Sequence, residues 1–109
     1  MSVSNNRYDL DHNLENIIYN ELVYRDYSIK VYSTNKKEIN FFATKNGKEY
    51  YIQVAYSLVD EKTYNREFSA FKNIDNLSQK IIISTDENDY STSVVRHISL
   101  KDFLKMNDL

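Results

Sequence analysis

Few residues in this chain have the chemical type to catalyse or to hold a metal, and most of them stand alone. Gln53 is a polar amide between apolar neighbours in Tyr51-Ile52-Gln53-Val54-Ala55-Tyr56. A run rich in Tyr, Ile and Val favours a strand, along which side chains alternate between faces. Gln53 and Ala55 then share one face, and Ile52, Val54 and Tyr56 the other. His12 and Glu15 are spaced i, i+3 in a helical stretch, a spacing that can chelate a metal. With no third ligand nearby, an exposed polar pair is the simpler reading. His97 follows Arg96 in an extended stretch, as a surface or satisfied core histidine. Two histidines this far apart give no ground for inferring a Ser-His-Asp arrangement.

The elements that position these residues follow from periodicity. Leu14, Ile17, Ile18 and Leu22 recur at helical spacing, which predicts a helix over roughly residues 10–25 with Asp9 or Asp11 as its cap. Glu21 falls inside the apolar arc and Glu15 at its edge. Glu21 reads as a surface residue near the helix end, or as one satisfied by a neighbouring Tyr or Lys. Residues 27–33 and 38–44 read as strands joined by a turn at Ser33-Thr34-Asn35. Asn46-Gly47 is a hairpin signal leading into the strand that carries Gln53. These three strands form an antiparallel meander.

Asp60 is a plausible cap for a second helix ending near Asn73, whose stripe Tyr64, Phe68 and Phe71 reads as core. A turn at Asp75-Asn76 leads to a strand over residues 79–85. Its unbroken Ile81-Ile82-Ile83 suits burial on both faces. A polar loop over residues 86–92 precedes a last strand, Val94 to Ile98, and a short helix capped by Ser99. The order is α-β-β-β-α-β-β-α, which predicts an α/β (α+β) domain with a mixed central sheet. Residues 1–8 read as a flexible tail and 9–109 as one domain.

Composition excludes several classes. No cysteine means no disulfide scaffold, no thiol chemistry and no cysteine-ligated zinc. One glycine and no proline leave no Gly-rich phosphate loop. A net charge of −2 gives no bulk attraction for nucleic acid, so any basic patch has to be local. No apolar run approaches membrane-span length and the start lacks a signal pattern, which makes the cytoplasm the expected location.

The element order, together with Tyr51-Ile52-Gln53-Val54-Ala55-Tyr56-Ser57-Leu58, Thr63-Tyr64-Asn65-Arg66-Glu67-Phe68 and Ile74-Asp75, resembles the PD-(D/E)XK nuclease fold. More closely it is similar to the DUF4143-type C-terminal domain that follows the ATPase module of bacterial and archaeal ATP-binding proteins. Supporting pieces are Leu14-Glu15-Asn16, Glu21-Leu22, Lys37-Glu38-Ile39-Asn40-Phe41, His97-Ile98 and Asp102-Phe103-Leu104. The resemblance implies a magnesium site built from a helix-1 glutamate, two strand acids and a lysine two positions beyond the second. Here these positions hold Glu15, Asn40, Gln53 and Ala55. Two amides remove two negative charges from such a site, and Ala55 cannot orient a water. Glu38 shares a strand face with Asn40 but is displaced from it by about 7 Å. Lys62 or Arg66 could supply a displaced cation.

The expectation is a catalytically degenerate, stand-alone domain with no cofactor or metal. It would act by macromolecular binding, mainly to a protein, as a small regulator or inhibitor of the kind mobile elements carry, such as an anti-CRISPR protein. The alternatives are a divergent Mg-dependent nuclease and a non-cleaving DNA-binding remnant. Ten tyrosines favour either contact surface or core edge. Tyr50, Tyr51, Tyr56 and Tyr90 are the candidate binding residues, although only one of Tyr50 and Tyr51 can point into the core.

Overall fold

The computed structural model describes residues 7–31, 39–72, 74 and 77–109. The elements are α1 (Arg7–Tyr24), β1 (Ser28–Val31), β2 (Phe41–Lys45), β3 (Lys48–Val54), α2 (Glu61–Ser69), β4 (Gln79–Ser84), β5 (Arg96–Ser99) and α3 (Leu100–Lys105). The expected α-β-β-β-α-β-β-α order is therefore present. The five strands form one sheet in the order β1-β2-β3-β4-β5. The first three pair antiparallel, and β3–β4 and β4–β5 pair parallel.

Local chemistry sets the turns. Lys45 pairs with Lys48 across a two-residue turn in which Asn46 and Gly47 have φ of 53° and 81°. Two successive positive φ values define the tight turn that matches strand twist, and Asn-Gly tolerates them best. The end of α1 is closed by Asp26 at φ 70°, with Tyr27 N–H bonding Leu22 C=O and Asp26 N–H bonding Val23 C=O. These reciprocal bonds satisfy the last carbonyls of the helix and turn the chain back toward the sheet. Asp60 caps α2 through Thr63 N–H, and Ser99 caps α3 through Asp102 N–H. Each such cap is worth about 1 kcal/mol.

Both sheet faces are covered. Leu14, Ile18 and Leu22 of α1 and Phe103 of α3 pack on Phe41, Ala43, Tyr50, Ile52, Val54, Ile81 and Ile83. Phe71, Ala70, Tyr64 and Phe68 from α2 and its exit pack on the other face with Ala55, Leu58, Ile82 and Val95. Ile81, Ile82 and Ile83 are fully buried, as an uninterrupted apolar strand requires. No helix among the described residues is long and apolar enough to cross a membrane.

Several expected boundaries move. Arg7 and Tyr8 belong to α1 and not to a tail, while residues 1–6 lie outside the described residues. Ile17 is exposed, so the apolar face of α1 is narrower than its sequence suggests. β1 is described over Ser28–Val31, with the rest of its expected range outside the described residues, and β2 begins only at Phe41. Ile39 precedes β2 and packs with the α2 cluster, opposite Phe41 and Ala43. α2 ends at Ser69, ahead of the expected Asn73, and the last strand starts at Arg96 in place of Val94. The expected turns at residues 33–35 and 75–76, and Glu38, lie outside the described residues.

Candidate functional site

Three of the four resemblance-derived positions meet in space. Asn40, just before β2, faces Gln53 of β3, and α1 brings Glu15 to the same place. Asn40 N–H donates to Gln53 Oε1 at 2.9 Å. Val54 N–H donates to Asn40 Oδ1 at 2.8 Å, and Asn40 Nδ2 donates to Glu15 Oε2 at 3.2 Å. The two amides thus stitch the β2 entry to β3 and to α1. A carboxylate at position 40 would have no N–H to give Glu15, and an amide at either position has no charge to give a cation. Ala55 does not join them. It is buried in the α2 cluster, and its N–H bonds Ile83 C=O.

These groups border a pocket of about 290 Å³, with Asp11 and Glu15 on the α1 side and Arg66, Glu67, Ser69 and Ala70 on the α2 side. Asp11 is held in place by Tyr56 N–H, which donates to its Oδ1 at 2.9 Å. Glu67 is the residue the sequence reading passed over. It is 7 % exposed, and Arg66 Nη2 reaches its Oε2 at 3.2 Å. Its Oε1 is buried without a hydrogen bond. Burial pushes the Glu67 carboxyl above its usual range. The hydrogen bond and charge of Arg66 oppose that shift, the Asp11 charge adds to it, and a hydrogen bond from the Gln53 side chain opposes it. A signal for Glu67 was available: Thr63, Glu67 and Ala70 recur at i, i+4, i+7 beside the aromatic stripe, and all three are buried.

Arg66, considered as a displaced cation, does reach this pocket, whereas Lys62 is exposed and does not line it. His12 is exposed, and Glu21 pairs with Arg25 at 2.9 Å. Arg25 also donates to Phe103 C=O and sits 4.5 Å over the Phe103 ring, so Glu21 belongs to the α1–α3 contact. No group of three His, Asp or Glu is spaced to hold a metal among the described residues.

A second polar cluster was invisible in the sequence. Ser84, at the end of β4, lies 2.7 Å from His97 Nε2 and donates to Asp86 Oδ2 at 2.8 Å. Residue types alone would suggest a hydrolytic triad. The hydrogen bonds reverse the roles. Tyr90 N–H donates to His97 Nδ1 at 3.2 Å, a bond that favours the tautomer with its proton on Nε2. In that tautomer His97 donates to Ser84, whose own proton goes to Asp86. Asp86 accepts from Ser84, Ser57 Oγ and Leu58 N–H and does not orient the imidazole. Ser84 is fully buried. Burial pushes His97 below its usual pKa, against the pull of Asp86 and Asp89.

The four candidate tyrosines separate. Tyr50 is 2 % exposed and packs edge-on against Tyr27, so the expectation that it offers contact surface is corrected: its β3 position points it at α1. Tyr51, on the opposite face, is half-buried against Phe42. Tyr90 is half-buried against Tyr64 and His97. Tyr56 is exposed. No protein-family model and no curated protein sequence matches the chain.

Proposed function

We propose that this chain is a catalytically inert module, resembling the PD-(D/E)XK nucleases in its element order, that works by binding another protein as a regulator or inhibitor. The observation that carries this reading is the use of Asn40 and Gln53. Both amide oxygens accept backbone N–H groups, at 2.8 and 2.9 Å, where acidic ligands would have to turn toward a cation. The positions that would do metal chemistry hold the sheet entry together instead. Tyr56, and the outer edges of Tyr51 and Tyr90, are the aromatic surface available for a partner.

A second reading is a divergent nuclease in which Glu15 and Glu67 supply the carboxylates and Arg66 the cation. Their convergence on one pocket favours it. Incubating labelled DNA and RNA with Mg²⁺ or Mn²⁺, with wild type and Glu15→Gln in parallel, separates the two. The binding reading expects no cleavage from either protein. Cleavage that disappears in Glu15→Gln establishes the nuclease and removes the reason to call this a binding module.

A further inference from the structure

The outer side of α1 differs from that of the other helices. Its exposed positions between residues 12 and 24 hold no Asp, Glu, Lys or Arg. By contrast, α2 exposes Glu61, Lys62 and Arg66, and α3 exposes Lys101, Asp102 and Lys105. In place of charge, α1 shows Ile17, Tyr19, Val23 and Tyr24, which are 46, 38, 48 and 83 % exposed. The Tyr19 ring lies 6.0 Å from that of Phe41, whose strand partner Val31 is also exposed, so the apolar surface runs on to β1. A surface helix normally sets charged residues opposite its core stripe, and large apolar residues on both sides mark a helix that is covered on both. Tyrosine with few charges is also the composition of interface centres.

We propose that this face is covered by a second copy of the chain, the two α1 helices meeting across a two-fold axis that passes near Asn20. Asn13, Ile17, Asn20 and Tyr24 follow one another at steps of four, three and four residues, the spacing of a seam between two helices. The polar groups along it suit a copy better than any other partner. A carboxamide carries both donors and an acceptor, and a phenol both gives and takes a hydrogen bond, so each can pair with its own counterpart. An Asn in such a seam also fixes the register of the two helices. The carboxylates of α1 within this span, Glu15 and Glu21, are half-buried and turned to Asn40 and Arg25. Two copies therefore approach without like-charge repulsion, although each carries a net charge of −2. A partner selected by charge finds none here to answer. The face is about 20 Å long and about 10 Å wide. That is small beside the surface of about 800 Å² per partner in a stable complex, so the dimer exchanges with monomer, with Kd at about 0.1–1 mM.

This association is independent of whether the chain also regulates another protein, and its test uses the purified protein alone. Sedimentation equilibrium from about 10 μM to about 2 mM, a range that brackets the expected Kd, should follow a monomer–dimer equilibrium. Asn20→Asp and Asn20→Lys each set like charges across the axis, and either alone should weaken association about tenfold or more. Mixed in equal amounts, the two variants should associate more tightly than either does alone, because opposite charges then meet. Position 20 is exposed, so both variants keep the fold. Asn65→Asp and Asn65→Lys, at an exposed position of α2, should leave the equilibrium as it is. A protein that stays monomeric throughout the range leaves α1 to some other occupant and overturns the proposal. So do undiminished association of Asn20→Asp, no recovery on mixing the Asn20 variants, and an equal effect of the Asn65 changes.

Discussion

Two polar clusters border this sheet, and they behave differently. The Ser84–His97–Asp86 cluster has residue types that suggest catalysis, yet its side chains are paired with one another. Ser84 Oγ receives His97 Nε2–H and Asp86 N–H and gives its own proton to Asp86. The Glu15–Asn40–Gln53–Glu67 cluster borders a cavity, and in it Glu67 Oε1 is buried without a hydrogen bond. A closed network is structural whatever its residue names, and a buried acceptor without a donor is a cost that the rest of the fold offsets.

The largest effect on this contrast should come from Asp86→Ala. It leaves Leu58 N–H, Ser57 and Ser84 without their acceptor and should cost about 3 kcal/mol in urea unfolding, given about 1–3 kcal/mol per orphaned group with some rehydration. A loss too small to measure would mean that water already serves this cluster. Asn40→Ala should cost less, about 1–2 kcal/mol, because the β2 entry is half-buried and water can reach the freed Val54 N–H. Amide hydrogen exchange at Val54 should accelerate in that variant, and unchanged protection there would refute the stitching role.

Acid should act on the closed cluster next. His97 has its folded pKa below the unfolded value of about 6.5. The unfolded chain therefore binds the proton first. Stability is full above the unfolded pKa, falls as pH drops from there through the lowered folded pKa, and then levels off. Urea midpoints between pH 7.5 and 5 should show this slope, and His97→Gln should flatten it even if it lowers the whole curve. The smallest effect belongs to Glu67→Gln. The Glu67 pKa is raised, so its ionised form is a net burden that is absent below the unfolded pKa and complete above the folded one. The substitution should raise the melting temperature slightly at pH 7 and leave it unchanged at acid pH. A clear loss at pH 7 would mean that the Arg66–Glu67 pair outweighs the cost of burying it.

Much of this architecture was readable in advance because it depends on local signals. The Asn46-Gly47 turn, the Asp60 and Ser99 caps, the Ile81-Ile82-Ile83 strand and the Tyr64–Phe68–Phe71 stripe are each set by residues within a few positions of one another. The meeting of Glu15, Asn40 and Gln53 was reachable only through a resemblance, since three elements must pack before those side chains touch. Ser84 and His97 were out of reach for a different reason. They lie on neighbouring parallel strands, and parallel register is fixed by long connections with no turn chemistry to read. Tyr50 was misjudged because alternation gives two faces without saying which is covered when both are. Ile17 and Val31, apolar and exposed, show that spacing alone overstates the width of a buried face.

The two-residue turn between β2 and β3 also has a consequence in time. Its partners are sequence neighbours, so this ribbon can close within microseconds, at small cost in loop entropy. The parallel pairs must wait for α2 and for the polar segment after Asp86 to be gathered in, and such non-local pairing is slow. The chain should therefore fold from its middle outward, with β5 the last strand to arrive. Substitutions in the hairpin should then change the folding rate, and substitutions around His97 mainly the unfolding rate.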